Sequence, residues 1–194
     1  MYYDDSGSGA LAALLLLLIP VFFLVAVVFY VVGSYFLMRI FESAGVVGKW
    51  RAWVPVYNIL IFAKLGDVSP WIMLAGVLAS SLLSQVPVLG WLLSLAYLAL
   101  LVMAGWRVGL KLNKDWPYLL LWLLVGVGQL IWFGILAFTK DRWKPAVAPA
   151  PWSNTFLGDK TVWAGIPVQP GAAVGYQPPP APPAPPQNPE APQL

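Results

Sequence analysis

The sequence predicts an all-α membrane protein: a polytopic bundle of about four transmembrane helices, one half-inserted helix and a disordered proline-rich C-terminal tail. Three observations predict it. Of the 194 residues, 60% are hydrophobic and only 10% are charged, against about 25% charged in soluble domains. The apolar residues fall in long runs. After residue 138 the composition changes abruptly, and fourteen of the nineteen prolines lie within positions 145–194.

The first element is the run "ALAALLLLLIPVFFLVAVVFYVV" (10–32), inside a stretch with no charged residue between Asp5 and Arg39. About 20 apolar residues span a bilayer core, so this run is a full span. Its leader, residues 1–9, is acidic and lacks the basic start of a secretory signal, which makes the run an anchor. Residues 39–52 form a basic, glycine-punctuated loop. The stretch opening "WVPVYN" then offers only eleven largely apolar residues before Lys64, roughly 16 Å of helix or half a bilayer. A half-inserted helix with Pro55 in its first turn fits that length.

Runs 71–86 and 89–106 follow, separated by Ser84, Gln85 and Pro87, and read as an antiparallel hairpin. Residues 117–138 read as the last span. The helical membrane domain is therefore placed at 10–142 and the tail at 143–194. The tail has too little apolar surface to offset its ordering entropy, and "PPPAPPAPP" favours an extended polyproline conformation.

Charge placement sets an expected orientation. With the N-terminus outside and four crossings, Arg39, Lys49, Arg51, Lys64, Arg107, Lys111 and Lys114 fall inside, and Lys140, Arg142, Lys144 and Lys160 outside. Seven against four predicts both termini outside. Basic residues that flank apolar runs also argue against a nucleic-acid partner; the bilayer is the expected one.

Composition removes much chemistry. The chain has no cysteine and no histidine, which excludes disulfides, thiolate metal sites and His-based triads. No cofactor or metal site is expected. The centres of the runs carry no Asp, Glu, Lys or Arg, the residues that ion-coupled pumps use. What remains is mildly polar. Asn58, Ser80, Ser81, Ser94 and Gln129 are candidates for a small polar pocket, although interhelical hydrogen bonds account for such residues equally simply. Arg107, Lys111 and Lys114 share one helical face and are candidates for an anionic-lipid contact or a plain interfacial collar. Gly105 and Gly109 form a G-x-x-x-G, a close-packing pattern that also serves homodimers.

The stretch 41–71 carries Phe41, Ala44, Gly45 and Gly48, a tryptophan at Trp50 or Trp53, then Pro55, Tyr57 and Asn58, and finally Trp71. This pattern, A-G-x-x-G followed by P-x-Y-N, resembles a family of small bacterial multi-pass membrane domains over about residues 38–142. Some relatives in that family precede a signal peptidase I module. No residue here matches that module's serine–lysine pair, so the resemblance implies a membrane module and no catalytic residue. It makes Gly45, Gly48, Pro55, Tyr57, Asn58 and Trp71 structural-motif positions, with Asn58 bonding backbone near Pro55. The expected function is that of a non-enzymatic accessory or scaffold subunit of a membrane or envelope complex, reaching a partner protein through its tail. The alternative is a small transporter or lipid-binding protein with a pocket near Asn58 and Gln129.

Overall fold

A computed structural model describes residues 6–124 and 126–169. These form five α-helices, α1 (Ser6–Ser43), α2 (Tyr57–Leu65), α3 (Pro70–Leu82), α4 (Leu89–Lys111) and α5 (Val127–Phe138), with 3-10 helices at Lys49–Trp53 and Trp116–Leu123. No strand occurs among the described residues, so the all-α expectation stands. Two helical stretches are long and apolar enough to cross a membrane, Leu11–Ser43 and Leu89–Lys111. The apolar helices α3 and α5 have 13 and 12 residues, roughly 20 and 18 Å at 1.5 Å per residue. Among the described residues, two helices and not the expected four have the length and apolarity of a full span.

The largest departure is at residues 117–138. In place of one span, the 3-10 helix Trp116–Leu123 ends at its cap Leu124, and α5, which begins at Val127, runs back. Gly126 takes φ +78°, and a Cβ on Gly128 would lie 1.7 Å from the Leu121 carbonyl oxygen. Only glycine permits that fold-back. The two ends of the hairpin meet: Lys114 Nζ lies 2.8 Å from Asp141 Oδ2, and the Lys144 amide donates to the Lys111 carbonyl at 2.8 Å.

"WVPVYN" is a second fold-back. The 3-10 helix Lys49–Trp53 runs along α1, from the Lys49–Glu42 ion pair to Trp53, whose carbonyl accepts from Tyr30 Oη at 2.6 Å. The chain reverses at Val54–Val56, and α2 begins at Tyr57, two residues beyond Pro55. Val56 sits at φ +65°, with the Tyr57 amide bonded to the Pro55 carbonyl at 2.7 Å. The Pro87-Val88 pair repeats this γ-turn before α4, with Val88 at φ +64°. Such turns are rare and strained for a β-branched residue, and both are followed directly by a helix.

α3 and α4 form the expected hairpin, its tip closed by Gly90 against the Leu83 carbonyl. Gly105 and Gly109 seat the rings of Trp122 and Trp132, whose atoms would lie 3.0 and 2.8 Å from added Cβ atoms. The G-x-x-x-G is thus occupied within the chain.

Part of the expected disordered tail is a folded strap. Residues 143–169 have no regular helix, yet Ala150, Trp152, Ser153, Asp159, Ile166 and Gln169 are buried. The strap crosses the ends of several helices. Ser69 N donates to the Leu157 carbonyl at 2.8 Å, Trp152 Nε1 to the Asp67 carbonyl at 3.0 Å, and Val47 N to the Gly165 carbonyl at 2.7 Å. Composition suggested disorder because the strap's few large apolar groups are widely spaced. Their burial is achieved against the bundle. The rest of the proposed tail, 170–194, lies outside the described residues, as does the leader through residue 5.

Candidate functional site: a buried charge cluster under the strap

The loop joining α2 to α3 begins at Gly66, where α2 and α4 touch backbone to backbone: a Cβ there would lie 2.5 Å from Ala104 Cα. That approach brings Asp67 against the last two turns of α4. Asp67 Oδ2 accepts from Arg107 Nε at 2.7 Å, and Oδ1 accepts from Lys111 Nζ at 2.6 Å. Lys111 also donates to the Leu65 carbonyl, at 2.6 Å. Arg107 and Lys111 lie one turn apart, so one carboxylate binds both.

Lys64, in the last turn of α2, turns the other way. Its ammonium contacts Asp159 Oδ2 at 2.6 Å, Thr161 Oγ1 at 3.0 Å and the Thr161 carbonyl. Asp159 is held in turn by Thr161, whose amide and hydroxyl donate to Oδ1 at 2.9 and 2.7 Å. The Asp159 amide reaches the Asp67 carbonyl at 3.3 Å, which joins the two halves. All five charged side chains are at most 2% exposed. Three cations face two carboxylates, leaving one formal positive charge in excess. Arg107 Nη2 is buried with no hydrogen-bond partner among the described residues.

This arrangement corrects the reading of Arg107, Lys111 and Lys114 as a lipid-facing collar. The shared face of α4 is real, but Asp67 covers Arg107 and Lys111, and Lys114 pairs with Asp141. Sequence reasoning missed Asp67 and Asp159. A carboxylate three residues before a helix start carries no periodic signal, and Asp159 is distant in sequence. The Asp141 carboxyl is held below its usual range by hydrogen bonds from Lys114 and Thr139.

Of the motif positions, Tyr57 and Trp71 meet through Trp163. Gly45 and Gly48 adopt φ +79° and +90°. The Tyr57 ring lies 6.5 Å from Trp50 and 5.9 Å from Trp163 in a stack, and Trp71 meets Trp163 edge-on at 6.3 Å. Asn58 is buried and donates through Nδ2 to the Ala52 carbonyl at 3.1 Å, clamping the fold-back around Pro55.

The five pocket candidates do not come together. Ser80 and Ser94 bond to carbonyls of their own helices, Ser81 is exposed, and Asn58 is spent on Ala52. Gln129 alone lines a cavity of about 260 Å³, with Gly33, Phe62, Tyr97, Leu130 and Phe133. Among the described residues, no three His, Cys, Asp or Glu side chains are grouped to hold a metal. No protein family, curated protein or solved structure matches the chain.

Proposed function

We propose that the chain is a multi-pass integral membrane protein acting as a non-catalytic accessory or scaffold subunit, with the N-terminus outside and the strap and C-terminus in the cytoplasm. The observation that carries this reading is charge segregation. All eleven Lys and Arg belong to one end of the molecule. Arg39 and Lys49 meet at Glu42; Arg51 bonds to the strap at Ala164; Lys64, Arg107 and Lys111 lie beneath the strap; Lys114 joins Asp141. Lys140, Arg142, Lys144 and Lys160 are on that same connecting chain. The opposite turn, 83–88, has no charge. An excess of basic residues marks the cytoplasmic side. Helices α1, α3 and α4 then cross, and the hairpin 115–138 enters and returns. This departs from the expected outside C-terminus, which required 117–138 to cross.

The scaffold role is supported by α1, which is unburied across its most apolar window, with Leu16 74% exposed. That surface is free for lipid or a partner helix. Purification from native membranes in nanodiscs, followed by mass spectrometry, tests it. A stoichiometric protein partner lost on deleting residues 170–194, which leaves the strap in place, supports the scaffold. A lone chain carrying a lipid sinks it.

That outcome would favour the second reading, a lipid-binding protein or small transporter. It is supported by Gln129, which lines the cavity. The absence of cysteine allows a clean orientation test. A cysteine at Gln85 is expected to react with an impermeant maleimide on intact cells, and one at Asn154 only after permeabilisation. The reverse pattern overturns the orientation.

A further inference from the structure

We propose that Lys64, next to the Arg107 and Lys111 that Asp67 holds, is the anchoring cation of a binding site for a phosphate-class oxyanion, which the strap holds closed with Asp159 as a built-in substitute ligand. Four observations converge. First, the helices supply no acceptor for Lys64: its three bonds go to Asp159 and Thr161 on the strap. An ammonium sealed from water needs an acceptor, so the bundle presents a cation awaiting one.

Second, the charges balance only with that carboxylate in place. Lys64 and Lys111 lie in the last turns of α2 and α4, and each helix C-terminus contributes roughly half a negative charge. Those two ends offset the single formal excess of the closed cluster. Removing Asp159 leaves one unbalanced positive charge, which a phosphodiester's single negative charge replaces one for one.

Third, the adjoining Asp67 pairing is unfinished. Asp67 uses only Nε of the Arg107 fork, and Nη2 stays buried and unpartnered. A tetrahedral oxyanion has more acceptor oxygens than a carboxylate and suits a guanidinium fork. Fourth, Thr161 grips Asp159 Oδ1 through both amide and hydroxyl, leaving Oδ2 turned to Lys64. A short loop thus presents one carboxylate oxygen as a ligand would.

The chemistry fits a phospholipid headgroup or free phosphate. The site itself rests on the cluster geometry; the headgroup source alone rests on the proposed orientation, in which these helix ends reach the anionic leaflet. Full-length protein in uncharged maltoside micelles is titrated with short-chain phosphatidylglycerol and, separately, inorganic phosphate. Binding is read from a dye on Lys160→Cys, beside Asp159. Saturable binding is expected, about tenfold tighter in Asp159→Asn, because the competing charged hydrogen bond is removed. Lys64→Gln is expected to weaken it about tenfold. Thr161→Ala keeps every charge and loosens the strap, and gives a severalfold gain even if Asp159→Asn fails to fold. Response to phosphatidylglycerol alone assigns the headgroup; equal response to phosphate assigns a free oxyanion. Unchanged affinity in Asp159→Asn and Thr161→Ala, or no binding to either ligand, overturns the proposal. Micelles have no sidedness, so this result is independent of the maleimide test of orientation.

Discussion

Lys64 Nζ and Asp159 Oδ2 meet at 2.6 Å across 95 positions of chain, both sealed from solvent. The pair fastens an irregular strap to a helical bundle. Neither residue has a second ionic partner among the described residues, so there each depends on the other for charge compensation.

Breaking that pair from one side is therefore costly. Lys64→Met or Asp159→Leu alone is expected to cost about 3–5 kcal/mol, because an uncompensated charge stays buried. The double substitution is expected to recover most of it. Thermal unfolding of the detergent-solubilised protein, followed by tryptophan fluorescence, gives the comparison; purely additive losses would show the two charges to be uncoupled.

Gly66 sets how closely α2 approaches α4. A methyl group there would sit 2.5 Å from Ala104 Cα and 2.6 Å from its carbonyl oxygen, and backbone cannot step aside as a side chain can. Gly66→Ala is expected to destabilise by about 1–3 kcal/mol. Gly134→Ala, whose nearest neighbour is the Phe36 ring at 3.4 Å, is the tolerated control. Equal losses of melting temperature would refute the close-approach argument.

Asn58 separates structural from ligand-binding accounts of the P-x-Y-N motif. Asn58→Ala leaves the Ala52 carbonyl without its side-chain donor and is expected to cost about 1–3 kcal/mol. Tyr57→Ala removes the ring between Trp50 and Trp163 and is expected to cost about 1 kcal/mol beyond its buried area. A stable protein in both cases, monodisperse on size exclusion, would contradict the structural role.

Asp141 ties the two ends of the hairpin at 115–138. Its carboxyl pKa is lowered by Lys114 and Thr139, so the contact is fully present above the usual carboxylate value of 3.8. It is lost as pH falls through the depressed folded value. The Lys114–Asp141 contact is expected to be constant from about pH 5 to 8 and to loosen only in stronger acid. Carboxyl carbon shifts of labelled Asp141 would track this, and a midpoint above the ordinary value would contradict it.

The comparison of sequence with structure divides along contact range. Long apolar runs reveal α1 and α4 because burial in lipid depends on composition alone. The α3–α4 turn is legible because Pro87 stops a helix locally. The Asn58 clamp was what the resemblance of the P-x-Y-N stretch implied, and its partner is the Ala52 carbonyl. The fold-back before α5 was not: "LLVGVGQL" reads as apolar span, and glycine within a membrane helix is common. What decides for a hairpin is where its ends are held, by Asp141 on Lys114 and by Lys144 on Lys111.

The sequence by itself determined an all-helical chain with no cysteine or histidine chemistry, two of the four spans it predicted, α1 and α4, and basic residues kept out of the apolar centres. Those properties follow from composition and period, which each segment carries alone. Only the tertiary structure decided that 143–169 is a strap, that 117–138 folds back, and that Arg107 and Lys111 face Asp67 instead of lipid. The physical reason is that a charge has no fixed meaning on one helix. Whether it anchors at a surface or sits buried depends on which carboxylate the rest of the chain brings to it.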